Sequence, residues 1–83
     1  MSELKGKTIL LSKMSVNQCG VIKRFIIEGD DCERLEEMGI TPGENVMVVR
    51  YAPLGDPIEI KIRGYLLSLR REEAERIEVA LLS

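Results

Sequence analysis

Residues 58–63 read Ile-Glu-Ile-Lys-Ile-Arg, an unbroken alternation of apolar and charged side chains. A period of two sends successive residues to opposite faces of an extended chain, so this run is a strand with one buried and one wet face. Gly64-Tyr65 follows, and then Leu66-Leu67-Ser68-Leu69-Arg70. Glycine in the first position of a two-residue loop suits a type II′ hairpin. The register expected from that turn sets Arg63 against Leu66, Ile62 against Leu67, Ile60 against Leu69 and Glu59 against Arg70. In it the apolar pairs share one face, and Glu59 and Arg70 form an opposite-charge pair on the other.

The remaining segments are read around this hairpin. Asn45 to Tyr51 is a second strand, rich in β-branched residues, with Val46, Val48 and Arg50 on one face and Met47, Val49 and Tyr51 on the other. The preceding Thr41-Pro42-Gly43-Glu44 specifies a type II turn. A helix is expected over Asp31 to Met38, opened by a capping box of Asp30 and Glu33. It should close in a Schellman ending, with Gly39 left-handed and Ile40 against Leu35. Its apolar stripe is Cys32, Leu35 and Met38, and at two turns it cannot stand alone, so it is a lid on the sheet. Val21 to Glu28, around Phe25, and Ile77 to Leu81 complete the strands, while Thr8 to Met14 is extended and leads into a turn over residues 15–18. Between hairpin and last strand, residues 71–76 suffice for a single helical turn.

These elements make a mostly β fold of about five strands with one short α-helix, in one domain spanning residues 1–83 with its core over 8–82. A small SH3-like barrel is the most economical arrangement, since closing the sheet removes exposed edges.

Composition narrows the function. Of the 83 residues 45% are hydrophobic and 31% charged, the balance of a globular chain, and no apolar run approaches the roughly 18 residues needed to cross a bilayer. The first residues carry no export signal, so a cytoplasmic setting is expected, with Cys19 and Cys32 as free, buried thiols. A net charge of −2, one Phe, two Tyr and no Trp argue against nucleic acid, which asks for a basic face and stacking rings. With no His in the chain, Ser–His and Cys–His nucleophiles cannot be assembled, and no Gly-rich phosphate loop is present. No enzyme activity and no cofactor are expected, and Glu72, Glu73 and Glu75 read as a solvated turn. A transition-metal site would need both cysteines plus carboxylates at spacings that fit no common motif. Asp30, Asp31 and Glu33 could draw a cation only weakly.

The pieces Leu35-x-x-Met38-Gly39-Ile40-Thr41-Pro42-Gly43, Val46-x-Val48, Ala52-Pro53-Leu54-Gly55-Asp56-Pro57-Ile58, Arg63-Gly64, Leu69-Arg70, Glu73-Ala74 and Ile77-x-Val79 resemble, in that order, the FeoA family. The resemblance covers about residues 8 to 82. Its structural signature falls on Leu35, Gly39, Pro42, Gly43, Gly55, Asp56, Pro57 and Gly64. One departure is Asn17, where the family usually has Gly, and Asn tolerates the left-handed region best among the other residues.

The resemblance implies a free-standing SH3-like barrel that works with a membrane ferrous iron transporter carrying a cytoplasmic GTP-binding domain. Candidate contact residues are Met47, Tyr51, Pro53, Leu54 and Leu66, expected to form an outward apolar surface. Two alternatives accompany this reading. One is a regulatory barrel like those at the C-terminus of metal-responsive repressors, binding a peptide or, through weak self-association, its own copy. The other is a GTPase activator that inserts one of Arg50, Arg63, Arg70 or Arg71.

Overall fold

The computed structural model describes residues 7–26 and 30–82. Six antiparallel strands alternate with short helical pieces: β1 (Thr8–Leu10), a 3-10 turn (Leu11–Lys13), β2 (Cys19–Phe25), α1 (Asp30–Glu37), β3 (Asn45–Tyr51), β4 (Ile58–Ile62), β5 (Tyr65–Leu69), α2 (Arg71–Ala74) and β6 (Ile77–Leu81). The strands lie in the order β1-β6-β2-β3-β4-β5. One face of the sheet wraps a core of Ile22, Val46, Val48, Ile58, Ile60, Ile62, Leu69, Ile77, Val79 and Leu81. Leu11, Met14, Leu35, Ile40 and Ala74 close it from the helical side. This is the mostly β barrel expected, with one strand more, because Thr8 to Met14 divides into β1 and a 3-10 turn rather than running extended. Among the described residues the curl stops short of closure: β1 and β5 each pair on one side only and are edges.

The alternation in β4 survives as read, with Ile58, Ile60 and Ile62 buried. The hairpin register does not. Ile62 faces Tyr65, Ile60 faces Leu67 and Ile58 faces Leu69, so the loop is Arg63-Gly64 rather than Gly64-Tyr65. Both loop residues take positive φ, 54° at Arg63 and 90° at Gly64, which is the type I′ geometry that follows strand twist. The shift is two residues, an even number, so every side chain keeps its face. Glu59 consequently lies opposite Ser68, not Arg70, and its ionic partner is Arg50 at 3.9 Å.

Two β-bulges bend the long strands. The register slips between Ile22 and Arg24 in β2 and between Val48 and Arg50 in β3. Each inserts one residue and reverses the facing of those beyond it. Phe25 and Tyr51 therefore pack against the core, and Arg50 stays exposed.

The ends of α1 follow the expected chemistry where they are described. Gly39 has φ 98°, the Ile40 N–H donates to the Leu35 carbonyl at 3.0 Å and the Gly39 N–H to Glu36 at 3.0 Å, a Schellman ending in full. The capping box at Asp30 and the packing of Cys32 lie outside the described side chains. The next turn closes through the Glu44 N–H on the Thr41 carbonyl at 3.2 Å, with Gly43 at φ 95°. Asn17, at φ 72°, occupies the left-handed position its residue type permits.

Candidate partner-binding surface

The outer face of the sheet is built by register. Cys19 lies opposite Met47, Met47 opposite Lys61, and Lys61 opposite Leu66. At the other side the Leu82 N–H donates to the Cys19 carbonyl at 3.0 Å, which brings Leu82 alongside. A row running Leu82, Cys19, Met47, Lys61, Leu66 thus crosses the barrel on the side away from the core. Leu82 and Leu66 are half exposed, and the lysine stem can lie along such a row with its ammonium in water. An open, largely apolar groove of about 400 Å³ follows part of the row, between Cys19, Met47 and Leu82 and the Lys61–Gly64 end of the hairpin.

Of the five candidate contact residues, the structure brings Met47 and Leu66 into this row. Pro53 and Leu54 sit in the β3–β4 loop, both exposed, with Leu54 at 93%. That loop follows Tyr51, four residues or about 13 Å along β3 from Met47. The candidates therefore form two separate outward regions rather than one patch. Tyr51 belongs to neither. The bulge before Arg50 turns its ring inward, where its hydroxyl donates to the Met14 carbonyl and lies 3.4 Å from the Ser12 carbonyl. Burial pushes the Tyr51 phenol above its ordinary value, with the positive charge of Arg71 partly opposing.

The signature residues hold shape. Leu35 is buried under α1, and a Cβ at Gly39 would meet the Tyr65 hydroxyl at 3.0 Å. The Gly55 N–H closes its turn on the Ala52 carbonyl at 2.7 Å. Asp56, whose bond to Pro57 is cis, accepts the Arg71 N–H at 3.0 Å and so ties the β3–β4 loop to the start of α2.

Three residues carry more than their sequence context suggested. Glu73 is buried at 6% exposure, not a solvated turn residue. One carboxylate oxygen accepts the Arg70 N–H at 2.9 Å and the other pairs with the Arg34 guanidinium of α1. A glutamate three residues into a helical turn, behind a strand and before Ala74, was the available signal. Cys19 is half-buried in the groove wall instead of the core, and its thiol is free. Gly20 beside it is the close-approach point of β2 and β6: an added Cβ would overlap the Val79 Cγ1 and lie 2.9 Å from the Ala80 carbonyl oxygen.

Among the described residues no group of three or more His, Cys, Asp or Glu side chains gathers to hold a metal ion, and no helix is long and apolar enough to cross a membrane. Of the arginines weighed as activators, Arg50, Arg63 and Arg71 each have a carboxylate within 4 Å, Glu59, Glu44 and Glu75 respectively. Arg70 is exposed.

Comparison with known proteins gives these features a family. The family model of the FeoA domain matches residues 9–81. A Fe(2+) transport protein A/Fe(2+) transporter FeoB fusion protein of Porphyromonas gingivalis is 42% identical over 73 residues, 88% of this chain. The match spans 9% of that relative's own length. Among solved structures, the FeoA-like protein of Clostridium acetobutylicum superposes with a TM-score of 0.86 at 34% identity, over 93% of this chain and 90% of that one. A zinc-complexed FeoA of Stenotrophomonas maltophilia, described as a procaryotic SH3 domain protein, gives 0.74 at 27% identity over 86% and 88%. A manganese-dependent transcriptional repressor shares the fold alone, at 16% identity with a TM-score of 0.83, over 94% of this chain and 44% of the repressor. The match along nearly the whole described length leaves one conclusion: the chain belongs to the FeoA domain family.

Proposed function

We propose that this chain is an accessory protein of ferrous iron uptake, acting at the cytoplasmic face by docking on the GTP-binding domain of a membrane ferrous iron transporter. The observation that carries the reading is the fusion: a 42% identical counterpart is covalently joined to a Fe(2+) transporter. Tethering raises the effective concentration of the two parts to the millimolar range, so a fused pair needs little surface affinity. The Met47–Leu66 row and the exposed Pro53-Leu54 loop are the contact regions this reading uses.

The test is a pull-down from cell membranes with the tagged chain, with and without guanine nucleotide. Retention of the transporter, lost with Met47→Asp or Leu54→Asp while the variants stay folded, is the expected result. Failure to retain it in either nucleotide condition would refute the reading. An activator role predicts in addition that the chain speeds GTP hydrolysis and that a single Arg→Ala change abolishes this.

A further inference from the structure

The barrel leaves two sheet edges, and it treats them differently. β1 is three residues long, one of the ordinary ways of making an edge harmless. β5 runs for five residues, Tyr-Leu-Leu-Ser-Leu, with no charge, no proline and no bulge in its pairing to β4. Natural edges of that length are normally blunted by one of those devices.

The type I′ turn fixes which backbone groups of β5 are free. Ile62 and Tyr65 flank the two-residue loop and form the closing hydrogen-bonded pair, so Tyr65, Leu67 and Leu69 turn their N–H and C=O toward β4. Leu66 and Ser68 turn theirs outward. Both residues are exposed, and among the described residues neither backbone has another partner. Four basic side chains stand around this edge, with carboxylates among them. Arg63 precedes it, Arg70 and Arg71 follow it, and Lys61 lies opposite Leu66, all exposed. The carboxylate facing Ser68, Glu59, lies 3.9 Å from Arg50, and Asp56 accepts the Arg71 N–H. Glu44 and Glu75 lie 3.9 and 3.7 Å from Arg63 and Arg71, while Arg70 and Lys61 have no carboxylate within 4 Å among the described residues.

We propose that the β5 edge is a β-augmentation site for an extended segment of another protein, apolar or uncharged along about five residues and carrying a carboxylate at each end. The outward groups of Leu66 and Ser68 supply the backbone bonds, and the flanking arginines select the acidic ends. A second copy of this chain fits poorly. An antiparallel pair centred on Leu67 brings the turn carrying Arg63 of one copy toward the Arg70-Arg71 end of the other, like charge against like. The proposal does not depend on the transporter reading, because any protein could supply the strand.

The probe is a seven-residue peptide of alternating Val and Thr with Asp at both ends, titrated into the ¹⁵N-labelled protein. A twin peptide with Lys at both ends is the control. Expected are saturable amide shifts centred on Leu66 and Ser68, and exchange of those two amides slowed at least about tenfold at saturation. Ser68→Pro removes an outward donor without touching the β4 ladder, and should weaken binding at least about tenfold. Arg63→Glu and Arg70→Glu should each weaken it about two- to fivefold and favour the Lys peptide. Thermal melts establish that each variant is folded, and the two charge variants carry the test if Ser68→Pro is not. Three results would overturn the proposal: no shift at several millimolar peptide, shifts centred on Cys19 and Leu82 instead, or equal binding of the Lys peptide. Concentration-dependent shifts at the same amides without peptide would overturn it too, since they assign the edge to a second copy.

Discussion

Replacing Gly20 by alanine tests how closely β2 and β6 approach. Gly20 is buried in the middle of the sheet and its φ is not in the left-handed region, so alanine meets no backbone strain. The cost is one of space. The new methyl overlaps the Val79 Cγ1 and lies 2.9 Å from the Ala80 carbonyl oxygen, and that oxygen belongs to the strand itself and cannot rotate away. Overpacking of this kind costs about 1–3 kcal/mol, offset by the ~0.4–1 kcal/mol that alanine gains by narrowing the unfolded ensemble. Because one of the two obstructing atoms is backbone, a net loss of about 2 kcal/mol is expected. A chain of this size has about 4–12 kcal/mol in total, and the midpoint should fall by about 8–16 °C. Urea unfolding followed by circular dichroism measures it directly. Val79→Ala alone removes two buried methyl groups and should cost about 2 kcal/mol. In the double variant the Cγ1 overlap is gone, so the combined loss should be about 1 kcal/mol less than the sum. Additivity within about 0.5 kcal/mol, or a Gly20→Ala variant more stable than the parent, would refute the close-approach argument.

Other perturbations have equally definite outcomes. Tyr51→Phe removes the donor to the Met14 carbonyl and should cost about 0.5–1.5 kcal/mol near neutral pH. Because burial raises the Tyr51 phenol in the folded state, the native form holds its proton where the unfolded chain releases it. That contribution is complete below about pH 10 and is lost as pH rises through the folded value. Urea melts from about pH 8 to 11 should therefore show the parent losing stability faster than the Phe variant. Arg34→Met leaves the Glu73 carboxylate, only 8% exposed, without its cation. Since the Arg34 side chain is itself 55% exposed, the loss should be about 1–2 kcal/mol rather than the larger cost of a fully buried pair. Adding Glu73→Gln, which keeps an acceptor for the Arg70 N–H, should restore part of it. Leu54→Asp should leave stability within about 0.5 kcal/mol, so any lost transporter capture reports on contact and not on folding.

Period-two alternation made β6 legible to the residue and β4 in all but its end, since Arg63 belongs to the turn, and glycine and proline chemistry marked the Schellman ending and the type II turn. Those signals are local, and the structure keeps them. What was misread depends on partners distant in sequence. Gly64-Tyr65 and Arg63-Gly64 are both acceptable two-residue loops, and nothing local says that Arg63 will accept a φ of 54°. The bulge before Arg50 exists because β3 bends over a barrel, so counting by twos put Tyr51 outside when its ring lies inside. The burial of Glu73 rests on an arginine 39 positions earlier. The candidate surface follows the same rule: its members are apolar by sequence, but only the register across β2, β3, β4 and β5 tells that Met47 joins Cys19 and Leu66 while Leu54 stands apart.

The Glu73 link also bears on movement. Its carboxylate is clasped from below by the α2 backbone and from above by Arg34, so swinging α1 off the barrel must first separate that pair. With the Arg34 side chain 55% exposed, the first opening meets a cost on the order of the ~1–2 kcal/mol of that pair. The helical side of the molecule is therefore a cap held by a modest clasp. A partner docking on that side would meet α1 and α2 joined through this ion pair.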